Sequence, residues 1–198
     1  MALTIHTAVV AEPNSPGVAF VAHCLLNQNS KTDGGARCPG IYSPLVDLLR
    51  ERGWRIEQMP CPEHAFLGMH RFWLVKDQAD TLAFRRHCRR QAKVVAGAIA
   101  AHVERGTDVV VIGVEGSPSM GVRITSSSAD WGGRPDKGDD DYPLVPGRGI
   151  FSEELVAELA ERGLGDVRAS GIEHQLPTYD EAAEREQISA LLEHSDGR

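Results

Sequence analysis

The chain has 198 residues, of which 41% are hydrophobic and 25% charged, which is an ordinary composition for a globular protein with one core. Its net charge is −7, and its basic residues gather on one predicted helix without interleaved aromatic residues, so we expect no nucleic-acid partner. No apolar run approaches the ~18 residues of a membrane span and no leader-like segment begins the chain, so we expect a cytoplasmic protein without membrane contact.

Strand-like and helix-like patterns alternate along most of the chain. Apolar runs of strand length cover residues 18–22, 54–59, 109–112 and 167–172, and helical patterns cover residues 43–53, 80–105, 152–163 and 178–192. We take Ser43, Ser152 and Thr178 as the residues that begin three of these helices. The alternation predicts a three-layer, Rossmann-like α/β fold, with a mainly parallel sheet and helices on both faces.

Two segments stand apart from this alternation. Residues 1–16 end in Pro13 and Pro16, so we treat them as an N-terminal arm before a single domain over residues 17–198. Residues 126–148 are rich in Gly, Asp, Ser and Pro and show no periodicity, which is typical of a functional or mobile loop. We expect this segment to act as a lid.

The helix predicted over residues 80–105 is amphipathic. Its apolar residues recur at spacings of three and four and are Phe84, Cys88, Ala92, Val95, Ile99 and Val103. Cys88 is therefore expected in the core rather than in a site. We expect the arginines and Lys93 on the opposite side of this helix to be solvated.

Three predicted strands end in residues that can carry chemistry. The first runs into Cys24, the second into Cys61 and Glu63, and the third into a Gly116–Gly121 turn. Pro60 and Pro62 flank Cys61 and fix the backbone that holds its thiol. Since ligands bind outside the carboxyl ends of strands in open α/β sheets, one cleft is predicted to collect Cys24, Cys61, Glu63, Ser117, Ser119 and Met120.

Several roles remain open for these residues. Glu63 is interpreted as a general acid or base rather than a salt-bridge partner, and Ser117 either positions substrate or water or forms the turn. The N–H groups around Gly116 can hold an anion. A zinc site of Cys61 with His23, His64 and His70 is the weaker alternative, because the spacings fit no standard zinc pattern.

The chain also resembles a known family through several short motifs that occur in the same order. They are His23-Cys-Leu-Leu-Asn27, Gln58-Met-Pro-Cys-Pro-Glu63, Lys76-Asp-Gln78, Arg86-His-Cys-Arg89, Gly116-Ser-Pro-Ser119 and Trp131-Gly-Gly133. Over residues 18–172 they look like the thiouracil desulfidase (TudS) family, most closely its subgroup of TudS-related desulfidases.

The resemblance implies a desulfidase that removes sulfur from a thiocarbonyl-containing, thiouracil-like small molecule by non-redox hydrolysis. It implies a [4Fe-4S] cluster on three cysteines, two of which correspond to Cys24 and Cys61, with one iron open to the substrate sulfur. It also supports Glu63 as a catalytic residue. We further expect Ser117 to be catalytic, and Ser119, Asn27 and Gly116 to bind the substrate.

The third cysteine position of the family is Met120 in this chain. A thioether is a far weaker iron ligand than a thiolate, so Cys38 is a candidate replacement as third ligand. The alternatives are a cluster-poor or cluster-free protein that binds a small heterocycle or metabolite, and an enzyme that uses Cys61 as nucleophile. Whether the protein forms a homodimer stays open.

Overall fold

A four-stranded parallel sheet forms the centre of the molecule. The computed structural model describes residues 15–131 and 143–193. In chain order the elements are β1 (Gly17–Val21), α1 (His23–Leu26), α2 (Ser43–Glu51), β2 (Arg55–Gln58), α3 (Pro62–Leu67), α4 (Lys76–Ala79), α5 (Leu82–Val103), β3 (Asp108–Val114), β4 (Ile124–Ser126), β5 (Leu144–Pro146), α6 (Ile150–Glu161), β6 (Arg168–Ile172) and α7 (Glu181–Leu192), with a 3-10 helix at Gln28–Ser30.

The strand order β2-β1-β3-β6 places β1 and β3 inside the sheet. Val18 pairs with Arg55 on one side and with Val109 on the other, and Val110 pairs with Arg168. The two interior strands are the most apolar runs because helices cover both of their faces. The chain moves from β1 to β2 in one direction and then crosses back to β3, so the strand order reverses at β1.

Helices lie on both faces of the sheet, as predicted. Helices α5 and α6 pack against each other on one face, while α2 and α7 pack together on the other. Right-handed crossovers require this arrangement, because the connection to β2 runs in the opposite direction to those leading to β3 and β6. The sequence-based prediction of a three-layer α/β fold is confirmed.

The apolar face predicted for α5 is confirmed, including Cys88, which is fully buried in the core. The expectation that its basic side is solvated is correct only in part. Arg85 and Arg89 pair with Glu154 of α6, and Lys93 lies 3.7 Å from Glu158. These ion pairs align the two helices, because Glu154 and Glu158 lie one turn apart on the face of α6 toward α5.

Several helix starts differ from those predicted. Helix α2 begins at Ser43 with Tyr42 as N-cap, and α6 begins at Ile150 after Gly149, so Ser152 lies inside it. Helix α7 is capped by Asp180, whose carboxylate accepts from the N–H groups of Ala182 and Ala183. A carboxylate at the N-terminus also interacts favourably with the helix dipole, which favours Asp180 over Thr178.

The predicted lid segment begins and ends in a small antiparallel sheet. Strands β4 and β5 pair Ser126 with Leu144 and Thr125 with Val145. Residues 132–142 between them lie outside the described residues, as do residues 1–14 of the predicted arm. The lid, the arm and the domain bounds therefore stay predictions.

Among the helices of residues 15–131 and 143–193, none combines the length and the apolar content that crossing a membrane requires.

Candidate active site

The carboxyl ends of β1, β2 and β3 meet at one cleft. Backbone hydrogen bonds continue past the strands, from Met59 N to Val21 O at 2.8 Å and from Ala22 N to Ile112 O at 2.9 Å. The chain segments that follow the three strands are thereby held side by side. All six residues predicted to share a cleft line it together: Cys24, Cys61, Glu63, Ser117, Ser119 and Met120.

Cys61 lies at the junction of β2 and α3. Pro60 ends the strand, and Pro62 takes the first helical position, where its missing N–H costs nothing. Cys61 is the N-cap, and its Sγ accepts from the N–H of His64 at 3.4 Å. Burial, followed by the charge of Glu63, raises the pKa of the Cys61 thiol to about 12.

Cys24 follows β1 in the first turn of α1. Burial raises the pKa of its thiol, and the positive charge of Lys31 opposes that shift. The two cysteines also interact electrostatically, since Cys24 contributes to the raised pKa of Cys61. Both sulfurs are therefore protonated thiols at neutral pH unless a cation binds to them.

The Glu63 carboxylate lies at the centre of a polar group of side chains. Its Oε1 accepts from Ser119 Oγ at 2.5 Å and faces Ser117 Oγ at 3.4 Å, while its Oε2 lies 3.5 Å from Arg71 Nε. The side chains of Glu63 and Arg71 are 12% and 5% exposed. The carboxylate can therefore accept a proton at a defined position, with a cation beside it.

Arg71 is itself held by backbone groups. It donates from Nη1 to Gly68 O at 3.0 Å and from Nη2 to Ser30 O at 2.9 Å. The planar guanidinium is thereby fixed by two carbonyl groups before it meets Glu63. Arg71 therefore lies beside Glu63 in a fixed orientation, and the sequence gives no sign of this contact because Arg71 stands in a loop without periodicity.

The turn after β3 carries Ser117, Ser119 and Met120. Ser117 Oγ accepts from Met120 N at 3.0 Å, so this hydroxyl also stabilises its own turn. The turn packs so tightly on β3 that a Cβ at Gly113 would lie 2.3 Å from Met120 O. Both predicted roles of Ser117, as turn former and as cleft residue, are therefore compatible with its position.

A fully buried carboxylate braces the same turn from behind. Glu115 Oε2 accepts from the N–H groups of Val122, Arg123 and Ile124 at 3.1, 3.0 and 2.8 Å, and its Oε1 accepts from Arg123 Nε at 3.2 Å. Its side chain has 0% exposure. The negative charge is thus surrounded by donors, which ties the Gly116–Gly121 turn to the start of β4.

Three of the predicted site residues do not line the cleft. Gly116 lies behind it with φ +78°, a conformation that favours glycine. Asn27 lies between α1 and the 3-10 helix, where its backbone O accepts from Ser30. Cys38 donates from Sγ to Ile41 O at 3.3 Å and is not among the residues that line the cleft.

The zinc alternative lacks a suitable group of ligands. His23 and His64 do approach each other, with ring centroids 6.0 Å apart. Within the described ranges, however, no three His, Cys, Asp or Glu side chains are grouped so that they could hold a metal ion. The thioether of Met120 is the third sulfur in the cleft.

Nine further residues line the cleft, and four of them bring polar or aromatic groups that were not predicted from the sequence. Lys31 and Gln175 contribute polar groups, Arg71 contributes the cation beside Glu63, and Trp73 contributes an aromatic wall. Gln175 follows β6, so it reaches the cleft only because β6 lies next to β3 in the sheet. Among these four, Lys31 has a local sign in the sequence, because it stands two residues before Asp33-Gly34-Gly35, a pattern typical of a turn.

Comparisons with known proteins identify similar chains. The model of a family described as "Putative 2-thiouracil desulfurase" matches residues 20–146. The chain is 30% identical over 105 residues to "Uncharacterized protein MJ0003" of Methanocaldococcus jannaschii, covering 53% of this chain and 67% of that protein. A solved structure titled "[4Fe-4S]-dependent thiouracil desulfidase TudS" matches with 22% identity and a TM-score of 0.46, covering 89% of this chain and 99% of that one.

Proposed function

This chain belongs to the 2-thiouracil desulfurase family, and from that premise we propose that it removes the sulfur atom from a small heterocycle bearing a thiocarbonyl group. The reaction is a hydrolysis, in which water supplies the oxygen of a new C=O group and the sulfur leaves as H₂S. No electron donor or acceptor is needed for that balance. The observation that carries the proposal is the placement of the Glu63–Ser119 pair beside two cysteines in one cleft.

Glu63 acts as the general base and the general acid in this reaction. Ser119 fixes one carboxylate oxygen at 2.5 Å and Arg71 faces the other at 3.5 Å. A carboxylate held in this way can take a proton from the attacking water and return one to the departing sulfur. Ser117 and Ser119 offer hydroxyl groups to the same water or to the substrate.

Cys24 and Cys61 are the residues that would hold an iron–sulfur cluster, with Met120 at the third ligand position. Such clusters are held by thiolates, and two sulfurs of the required kind line the cleft. The two thiols fit such a cluster, but the described residues contain no group of three His, Cys, Asp or Glu side chains that could hold a metal, and the Met120 thioether is a weaker, neutral ligand. When bound, the cluster would supply an iron with affinity for the thiocarbonyl sulfur.

A second candidate function is favoured by Met120 itself. In that candidate, two cysteine thiols and one thioether line the cleft, and the chain is a cluster-free member that binds the heterocycle without converting it. The nucleophile alternative is less favoured. Burial raises the pKa of Cys61 to about 12, and the hydrogen bond to its sulfur comes from the backbone of His64 rather than from an imidazole.

The test is sulfide release by protein purified under strict anaerobiosis. Iron and acid-labile sulfide are measured per chain, and 2-thiouracil is then added while H₂S and uracil are quantified. Glu63→Gln should keep the iron content and lower the rate by about 10²-fold or more, because an amide cannot exchange the proton. Glu161→Gln, an exposed change on α6, is the matched control and should retain full activity.

Three outcomes would contradict these assignments. Iron-loaded wild-type protein that releases no sulfide from 2-thiouracil would rule out desulfuration of this substrate and leave the binding function. Activity of Glu63→Gln within a few-fold of wild type would remove Glu63 from the reaction. Iron at background after anaerobic reconstitution would argue against the cluster.

A further inference from the structure

Lys31 is a partly buried cation in the cleft that takes no part in the hydrolysis proposed above. It follows the 3-10 helix and lines the cleft together with Cys24 and Glu63. Its Nζ lies 3.0 Å from His174 Nε2 and donates to Gln175 Oε1 at 3.1 Å. Both partners follow β6, on the far side of the sheet from the residues around Cys61.

Both partners of Lys31 are neutral. Burial, together with the charges of Lys31 and Arg37, lowers the pKa of His174 to about 3, so its imidazole is uncharged at working pH. In the described part of the chain no carboxylate lies within 4.0 Å of Lys31 Nζ. Arg71 differs, because Glu63 lies 3.5 Å from its Nε.

The two neutral partners are rigidly placed. The ring of Tyr42 lies 4.9 Å from the ring of His174, and Gln175 Nε2 donates to Glu115 O at 2.8 Å. His174 Nδ1 is buried and has no hydrogen-bond partner among the described residues. The fold therefore leaves one ring nitrogen unpaired while the other accepts from Lys31, which indicates that holding Lys31 is what His174 does.

An ammonium group has three N–H donors, and His174 and Gln175 use two of them. The remaining donor and the positive charge are available to the cleft that Lys31 lines. Burial lowers the pKa of Lys31 despite the nearby negative groups, so its positive charge is not fully compensated, and an anion in the cleft reduces that cost.

We propose that Lys31 binds the substrate as an anion, so that the cleft selects heterocycles whose thioamide N–H is acidic. On binding, the ring nitrogen loses its proton to solvent, and the negative charge delocalises over nitrogen and sulfur next to the Lys31 ammonium. The substrate class is then acidic cyclic thioamides, of which 2-thiouracil is one. Because the thiocarbonyl ligand comes from the proposed function, this inference rests on that function.

The test compares 2-thiouracil with 1,3-dimethyl-2-thiouracil, which has no N–H proton to lose. Dissociation constants are measured at pH 7 by ultraviolet difference spectra in a Glu63→Gln background, so that the ligand is not consumed. Lys31→Met removes the charge at similar length, and Lys31→Arg retains it. A charged hydrogen bond corresponds to about tenfold or more in affinity.

We expect Lys31→Met to weaken 2-thiouracil at least about tenfold and to leave the dimethyl analogue unchanged, with Lys31→Arg closer to the Lys31 protein. Bound 2-thiouracil should show the absorption of its anion when Lys31 is present, and the absorption of the neutral thione in the Lys31→Met variant. Equal losses for both ligands, or no loss for either, would overturn the role of Lys31, as would a neutral-thione spectrum in the presence of Lys31.

The failure of this inference can be distinguished from that of the proposed function. If the anion binds in a way that depends on Lys31, but protein that retains Glu63 releases no sulfide, desulfuration is rejected and the role of Lys31 is kept. Sulfide release at equal rates from both ligands, unchanged by Lys31→Met, would reject the role of Lys31 and keep desulfuration.

Discussion

Replacing Glu115 by Gln tests the brace behind the turn that carries Ser117, Ser119 and Met120. The carboxylate accepts from three consecutive backbone N–H groups at 2.8 to 3.1 Å and from Arg123 Nε at 3.2 Å. If the amide oxygen of Gln replaces Oε2, those backbone bonds become neutral, and the new NH₂ group faces the Arg123 donor.

The cost can be estimated from these contacts. A hydrogen bond to a charged group is worth about 1.5–3 kcal/mol and one to a neutral group about 0.5–1.5 kcal/mol, so each of the backbone bonds loses roughly 1 kcal/mol. Easier burial of the neutral amide offsets part of this loss. We therefore expect Glu115→Gln to lower the free energy of unfolding by about 2–4 kcal/mol, which corresponds to a Tm decrease of roughly 4–16 °C at this chain length.

Urea unfolding followed by circular dichroism measures this change, with an unchanged m-value showing that stability alone is altered. Glu158→Gln is the matched control, because Glu158 is 7% exposed but makes one ion pair of 3.7 Å with an exposed Lys93. That control should lose less than about 1 kcal/mol. A Glu115→Gln loss no larger than the control would show that the buried carboxylate does not brace the turn.

Three further changes have defined outcomes. Met120→Cys should raise iron and acid-labile sulfide per chain in anaerobic protein and slow their loss in air, because a thiolate binds iron more strongly than a thioether; unchanged iron would separate Met120 from the metal ligands. Cys88→Ala should cost about 1–2 kcal/mol of stability through a small cavity while leaving iron content constant, and iron loss would contradict the core position of Cys88. The pKa of His174 is lowered to about 3, so as pH falls from about 6.5 the unfolded chain binds the proton before the folded chain does. Over that pH range the free energy of unfolding of the wild-type protein should fall by up to about 1.4 kcal/mol per pH unit more than that of His174→Gln. Parallel pH profiles of the two proteins would refute this.

The strands and the long helix could be predicted because their signals are local. The interior strands are continuous apolar runs, and the apolar positions of α5 recur with the helical period. Glu63, Cys24 and Cys61 could be assigned to one cleft because parallel strands end at the same edge of a sheet. For these three residues, the apolar strand pattern that precedes each of them in the sequence is enough to predict their place at the sheet edge.

The remaining parts of the cleft depend on contacts between distant segments. Lys31 meets His174 across 143 residues of chain, and Arg71 meets Glu63 from a loop without periodicity. Strands β4 and β5 have three residues each, too few for an alternating pattern to show. The position of Cys38 is set by a turn and a hydrogen bond to Ile41, which its spacing from Cys24 does not encode.

The long span between Lys31 and its partners bears on the order in which the molecule is assembled. Cys24 and Cys61 are brought together by the first strand–helix–strand unit, whose contacts are short in sequence. His174 and Gln175 reach Lys31 only after β6 has paired with β3, and such long loop closures carry the larger entropic cost. On a ribosome, we therefore expect the two thiols to be neighbours while the C-terminal third is still being synthesised, with the ammonium group oriented last.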